Sequence, residues 1–381
     1  MKGSKLPLYA LIAIIALAVV YRIVSPPAPQ LPGPIGTFPT WKSISVRGKM
    51  TAQATNQAGT MWAGAWSEKV GDNPGQSAIH VIDFNGFSAK STDLDKDTWV
   101  SYLSWADEYT LRALCVGPSN SVQVVYIDGR NGEKKRTVPL KMTLQGVLIW
   151  PVGSDKFAAL LEETDESLKM AVLSESGKMV GKEVSFDLPN GATLDSGTGV
   201  AADGSSFVFA LSDPAAKDGK SFYLADTKTG TAKKAFDLGE LPGRIEEIWP
   251  SAAGILMVCK VREKDQDNLK NVVYDSAAAK LVVQPSGVDL SKWPAAPKSI
   301  AFTTYNGGYE FDPITGKTKT VFDTSKKESA GDKGWRDFLR DSRFYKLKNG
   351  NYVIVSETGG AVDIREVKPD GEVVRALLSR M

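Results

Sequence analysis

One histidine, His80, stands in the whole chain, and it limits the available chemistry. A histidine metal cluster cannot be built from a single imidazole. A Ser-His-Asp triad would have to use His80, and the sequence has no Gly-x-Ser-x-Gly elbow to present the serine. In Ala78-Ile79-His80-Val81-Ile82 the histidine alternates with apolar neighbours. That pattern reads as a partly buried strand residue. The two cysteines, Cys115 and Cys259, each lie in an apolar run and read as buried free thiols. A disulfide would need an oxidising compartment. The run Asp93-Leu94-Asp95-Lys96-Asp97 places carboxylates at alternate positions, as calcium loops do. It lacks the glycine at loop position six, and Ser104 stands where the bidentate glutamate belongs, so it reads as a solvated connection. The sequence therefore offers no catalytic residues, no metal ligands and no cofactor motif.

What remains are aromatic and charged groups that could hold a partner. Trp105, Trp150 and Trp249 recur at one place in a repeated pattern, which favours packing over an aromatic ligand cage. Glu162 to Glu166 and Arg262 to Asn268 read as exposed hairpins. Thr324 to Arg343 is different. It starts with charge (Lys326, Lys327, Glu328, Asp332, Lys333) and then sets Trp335, Phe338 and Leu339 at helical spacing beside Arg336. Aromatic residues with nearby arginine are enriched at binding hot spots. Trp335, Arg336, Phe338 and Leu339 are thus the expected partner-binding residues, with a helical plug on the fold as the alternative.

The elements that must carry these groups are short strands. From about Trp41 the chain alternates apolar runs with turns, and no long helical pattern interrupts it. Turns that follow a third strand fall near residues 83, 128, 174, 226, 275, 312 and 368. The shortest interval, from 275 to 312, is 37 residues, and the longest, from 312 to 368, is 56. A unit of about 40–50 residues with four strands is the signature of a propeller blade. Seven turns predict an all-β, seven-bladed propeller over residues 41–381. Such a ring puts Cys115 and Cys259 in blades that are not neighbours, which argues against a disulfide between them. Ala201-Ala202-Asp203-Gly204-Ser205-Ser206-Phe207 and Tyr223-Leu224-Ala225-Asp226-Thr227-Lys228-Thr229-Gly230 resemble the bacterial TolB-like and WD40-like repeats, over roughly residues 60–375. No blade carries a Gly-His or Trp-Asp pair. The resemblance implies the fold and, loosely, protein-binding work, and it assigns no functional residue.

The N-terminus predicts a membrane tether. Leu6 to Tyr21 is uncharged, and with Ile23 and Val24 the apolar run reaches the ~17–20 residues that cross a bilayer as a helix. Lys2, Lys5 and the amino terminus on one side outweigh Arg22 on the other, which orients the main body outside the cytoplasm. Residues 1–25 thus read as a single transmembrane signal-anchor. A linker, 26–40, follows with Pro26, Pro27, Pro29, Pro32, Pro34 and Pro39, which favour extended polyproline II. The rival is a cleaved signal at Ala16-Leu17-Ala18, which would interrupt the apolar run instead of following it.

A net charge of +2, from 46 Lys and Arg against 44 Asp and Glu, gives no broad footprint for nucleic acid. The expected function is a protein-binding or scaffold module of the cell envelope, periplasmic or on the cell surface. The alternatives are a sensor domain for a small molecule or glycan, and an enzyme working in the central funnel. The anchor makes one direct prediction. Intact-mass measurement of protein recovered from membranes returns a chain that still contains residues 1–25, and a mature chain beginning at Val19 would refute it.

Overall fold

The structure is a computed structural model that describes residues 41–380, apart from 47, 57, 71–72, 144–148, 153–155, 175–177, 202, 264–265, 305–306, 324–338, 340–341 and 359–360. The anchor and linker, 1–40, lie outside the described residues. Among the described residues, no helix is long and apolar enough to cross a membrane.

The chain opens with β1 (Trp41–Ser45) and then builds seven sheets in order. Blade 1 holds β2 (Lys49–Thr55), β3 (Met61–Val70), β4 (Asn73–Asp83) and β5 (Ser88–Asp93). Blade 2 holds β6 (Trp99–Trp105), β7 (Thr110–Val116), β8 (Ser121–Asp128) and β9 (Lys134–Thr143). Blade 3 is β10 (Ile149–Val152), β11 (Lys156–Glu163), β12 (Ser167–Ser174) and β13 (Met179–Asp187). Blade 4 is β14 (Thr193–Val200), β15 (Ser206–Ser212), β16 (Lys220–Asp226) and β17 (Thr231–Asp237). Blade 5 follows with β18 (Arg244–Ser251), β19 (Gly254–Glu263), β20 (Gln266–Asp275) and β21 (Lys280–Val283). Blade 6 has, among the described residues, three strands, β22 (Ile300–Thr304), β23 (Gly307–Asp312) and β24 (Lys317–Asp323). Blade 7 has β25 (Arg343–Lys346), β26 (Tyr352–Thr358), β27 (Ala361–Val367) and β28 (Val373–Arg380), with β1 added beyond β28. The predicted seven-bladed propeller is the observed fold.

Each blade is an antiparallel meander whose middle strands are apolar on both faces. Phe207, Phe209 and Leu211 of β15 point one way, into Ala158, Leu160 and Met170 of blade 3. Val208 and Ala210 point the other way, into Ile255, Met257 and Cys259 of blade 5. The period-two alternation of a strand therefore serves two interfaces at once. A buried cluster fills every neighbouring pair around the ring, including blades 7 and 1, where Val353, Val355 and Ile364 meet Trp62 and Trp66.

The third-strand turns are where the repeat is most literal. Asp128, Asp226 and Asp312 each accept, on the backbone oxygen, the amide of the residue four places on: Gly132 at 2.7 Å, Gly230 at 2.9 Å and Gly316 at 2.8 Å. These glycines have φ of +79°, +77° and +67°, the left-handed region that disfavours a side chain. The preceding blade often grips this turn. Thr92 Oγ1 donates to Gly132 O at 2.5 Å, and Asn271 Nδ2 donates to Pro313 O at 2.9 Å.

This equivalence exposes an irregularity. In blades 1, 2, 4 and 5 the Asp turn joins the third and fourth strands, whereas in blade 6 it joins the second and third described strands. β22, β23 and β24 therefore match the second, third and fourth strands of a regular blade. The chain between β21 and β22 is described throughout, and it forms no strand. It packs against blade 5, with Val288 N donating to Ile314 O at 3.2 Å and the Trp293 indole to Gly254 O at 3.4 Å. The 37-residue interval is short because blade 6 has no innermost strand there.

The ring closes between blades 7 and 1. β1 pairs in parallel with β28, Trp41 opposite Ala376 through Ser45 opposite Arg380, before the chain enters blade 1. Arg375 of β28 grips the third-strand turn of blade 1. It donates to Phe84 O at 3.2 Å and Asn85 O at 3.0 Å, lies over the Phe87 ring, and pairs with buried Glu366. Arg375→Met keeps the stem but removes these donors. It should lower stability by about 2 kcal/mol, read as a lower urea midpoint at unchanged slope. An unaltered midpoint would show that the clasp contributes nothing.

Candidate functional site

The innermost strands surround an axial channel, and their exposed positions supply its lining. Along β2, Lys49, Thr51 and Gln53 are exposed while Met50, Ala52 and Ala54 turn toward other blades. Along β6, Tyr102 keeps 42% of its surface between buried Val100 and Leu103. β18 carries a bulge between Ile245 and Glu247, which places Glu246 and Glu247 in succession. Bulges re-aim side chains in this way. Gln53, Glu246 and Glu247 open into a cavity of about 350 Å³, lined also by Arg244, Phe302, Arg343 and Tyr345.

The charges are arranged in pairs. Arg244 donates twice to Glu246 Oε1, at 2.9 and 2.7 Å. Burial pushes the Glu247 carboxyl up, and the Arg343 charge opposes it. Burial also raises the phenols of Tyr102 and Tyr345, with Arg343 lowering both and Thr55 bonding to the second. Arg343 is thus a cation that acts on Glu247, Tyr102 and Tyr345 alike. Tyr102 is open to the channel yet enclosed by the ring, which is why its phenol is raised although so much of its area is accessible. The arrangement suits hydrogen bonding and charge recognition of a polar guest. Burial and enclosure here favour the neutral acids.

The groups weighed first for chemistry have structural settings. His80 is buried in β4, edge-on to Trp66 at 5.2 Å between ring centres, and burial lowers its pKa. Cys115 and Cys259 are free and buried in blades 2 and 5, each thiol pushed up to about 12, mainly by burial. Thiols in that state are inert. Asp93 ends β5, and Asp95 pairs with Lys134 of blade 2 at 3.4 Å. Glu162 to Glu166 is an exposed hairpin, as expected, with Glu162 paired to Lys169.

Trp105 and Trp249 serve packing. The Trp105 indole donates to Ala54 O of blade 1 at 3.2 Å, and Trp249 packs among Val258, Leu269 and Phe311. Trp150 lies on the first strand of blade 3. Of the expected partner-binding residues, Trp335, Arg336 and Phe338 lie outside the described residues. Leu339 is fully buried against Phe322 and Phe344, and its carbonyl accepts from Thr303 Oγ1 at 2.6 Å.

The channel residues Gln53, Tyr102, Glu247, Arg343 and Tyr345 were not singled out from sequence. Their signal was available but faint: polar residues at the start of first strands, such as Arg244-Ile245-Glu246-Glu247 and Arg343-Phe344-Tyr345.

Glu247 gives the site a pH dependence. The folded state holds its proton more tightly than the unfolded chain, whose glutamates titrate near about 4.3. The Glu247 contribution to stability therefore falls as pH rises from about 4.3 through the higher folded-state value. Glu247→Gln should match the parent at acidic pH and become the more stable protein above that window, by thermal denaturation across pH. A constant difference between the two proteins would contradict it.

No family model matches the chain, and no curated protein matches it. Solved structures do. The β-propeller domain of Myceliophteria thermophila Cps50 (Swd1) is 13% identical, covers 88% of each chain and has a TM-score of 0.37. Chaetomium thermophilum Sqt1, solved bound to the N-terminus of ribosomal protein L10, is 12% identical over 88% of this chain and 89% of that one, with a TM-score of 0.46. Synechocystis apocarotenoid oxygenase is 10% identical over 89% of this chain and 94% of that one, with a TM-score of 0.43. The propeller fold itself is established by the seven sheets.

Proposed function

We propose that this chain is a membrane-tethered propeller of the TolB-like and WD40-like kind that binds protein partners outside the cytoplasm and serves as a scaffold in the cell envelope. The observation that carries the binding reading is the composition of the channel mouth. Trp99 and Tyr102 are both exposed on one strand of blade 2, Arg244, Arg343 and Tyr345 line the channel cavity, and the Arg343 charge acts on the Tyr102 phenol. Tyrosine, tryptophan and arginine dominate protein-binding hot spots, and here strands hold them rigidly. The tether rests on the uncharged run Leu6 to Tyr21 and the proline-rich stalk.

A second reading, a sensor for a small molecule or glycan, is favoured by the volume of the channel chamber. At about 350 Å³ it falls within the roughly 300–1,000 Å³ of ligand pockets. The test uses the full chain, cross-linked in cells and recovered from membranes. Partners should be retained by the parent and reduced about tenfold by the double substitution Trp99→Ala, Tyr102→Ala, with the thermal midpoint unchanged. Extraction of the parent by alkaline carbonate would remove the tether. Retention unaffected by the double substitution would move the binding surface elsewhere. A thermal shift with a monosaccharide or metabolite panel would favour the sensor.

A further inference from the structure

We propose that the outer rim of blades 6, 7, 1 and 2 is a basic arc that docks on anionic phospholipid headgroups, so that the ring stands on its edge at the bilayer. The proposal rests on the tether reading above and adds what the folded body does at the membrane.

The first observation is where the charge lies. The outermost strands are β5, β9, β13, β17, β21 and β24 in blades 1 to 6, and β28 with β1 beyond it in blade 7. In blades 6, 7, 1 and 2 these strands hold ten Lys and Arg against two acids, Asp93 and Asp323. In blades 3, 4 and 5 they hold four Lys against three acids. The whole chain carries only +2, so the remainder is acidic on balance. β9 alone brings Lys134, Lys135, Arg136 and Lys141, and no acid. Lysine on an edge strand also blocks edge-to-edge pairing. That need is the same in every blade, and it does not account for a one-sided distribution.

The second observation is that the charges can be reached. Lys90, Lys134, Lys135, Arg136, Lys317 and Lys319 are all exposed. Lys134 meets Asp95, and Lys135 meets Asp128, each at 3.4 Å. An ammonium has three donors, so neither ion pair exhausts it. A lysine stem also carries its charge past the edge of the strand. One of the ten, Arg375, is held in the clasp on blade 1.

The third observation is where the chain enters. β1 is the outermost strand of blade 7 and begins at Trp41. The linker 26–40 therefore joins the ring on its rim and within the basic arc. Such a linker spans at most about 50 Å, which keeps this arc near the bilayer and blades 3 to 5 on the far side. Tethering makes docking intramolecular, at an effective concentration of roughly millimolar. A few lysines, each weakly drawn to anionic headgroups, then suffice. Charge and attachment point single out the same arc. Docking by the rim leaves both ends of the channel facing solution, where partners approach.

The experiment places the full chain in lipid nanodiscs and labels its amines briefly with an acylating reagent, read residue by residue by mass spectrometry. With anionic phospholipid, labelling of Lys90, Lys317 and Lys319 should slow about threefold relative to neutral discs at ~0.05 M salt, and recover at ~1 M, where screening acts within about 3 Å. Lys233 and Lys280, exposed on the far arc, should label alike in both lipids. Equal labelling of the three lysines in both lipids would overturn the proposal, as would equal slowing of the far arc or slowing that survives high salt. Protection by soluble polyglutamate but not by anionic discs would give the arc to an acidic protein and overturn the lipid assignment. Co-elution with neutral discs reports the tether separately. A chain that stays with neutral discs yet labels equally keeps the tether and loses the rim. A chain that leaves neutral discs but is held by anionic ones, with the same three lysines protected, keeps the rim and loses the tether.

Discussion

Mutual burial between blades is the constraint on which everything else depends. A blade is a meander with two apolar faces, and neither face has cover within its own sheet. Phe209 is covered only because blade 3 lies against it, and Met257 only because blade 4 does. No blade can be stable until its neighbours arrive, and the last interface forms only when the ring closes. The grip on the third-strand turns is a polar version of the same dependence. Thr92 and Asn271 each satisfy a carbonyl in the next blade, and Arg375 does so across the seam.

That constraint also explains which parts of the fold were legible in the sequence. The third-strand turn uses an Asp whose carboxylate accepts the amide two residues on and a residue that tolerates positive φ, so it recurs as Asp-x-x-x-Gly at 128, 226 and 312. Where the pattern weakens, the geometry persists: Ala279 takes φ +48° in blade 5 and Phe87 does in blade 1. The number and phase of the blades could be read from these turns. The missing strand of blade 6 could not be read directly, because a meander starting at its second strand has the same local pattern as one starting at its first. Only the short interval between Asp275 and Asp312 carried the signal.

The channel was less legible than the core for a related reason. A first strand has one edge on the axis, and its lining residues obey no packing rule. Glu247 and Arg343 are fifth-blade and seventh-blade residues that meet only through closure, so no local pattern joins them. The groups that drew attention in sequence, His80 and the two cysteines, did so by chemical type. Their burial turns them into core residues, edge-on to an indole or sealed between blades.

The parallel pairing of β1 with β28 has a mechanical consequence. The residues before Trp41 join the ring at its seam, on the outermost edge of blade 7. Any load carried along that part of the chain is delivered to the place where the ring was closed. A pull along the strand direction loads the five residue pairs from Trp41–Ala376 to Ser45–Arg380 together, in shear, instead of opening them one after another. The Arg375 clasp sits beside this joint and holds blade 1 to the same strand. The seam would therefore work as a strain-bearing splice, and its yield point would set how hard the domain can be tugged before the ring opens.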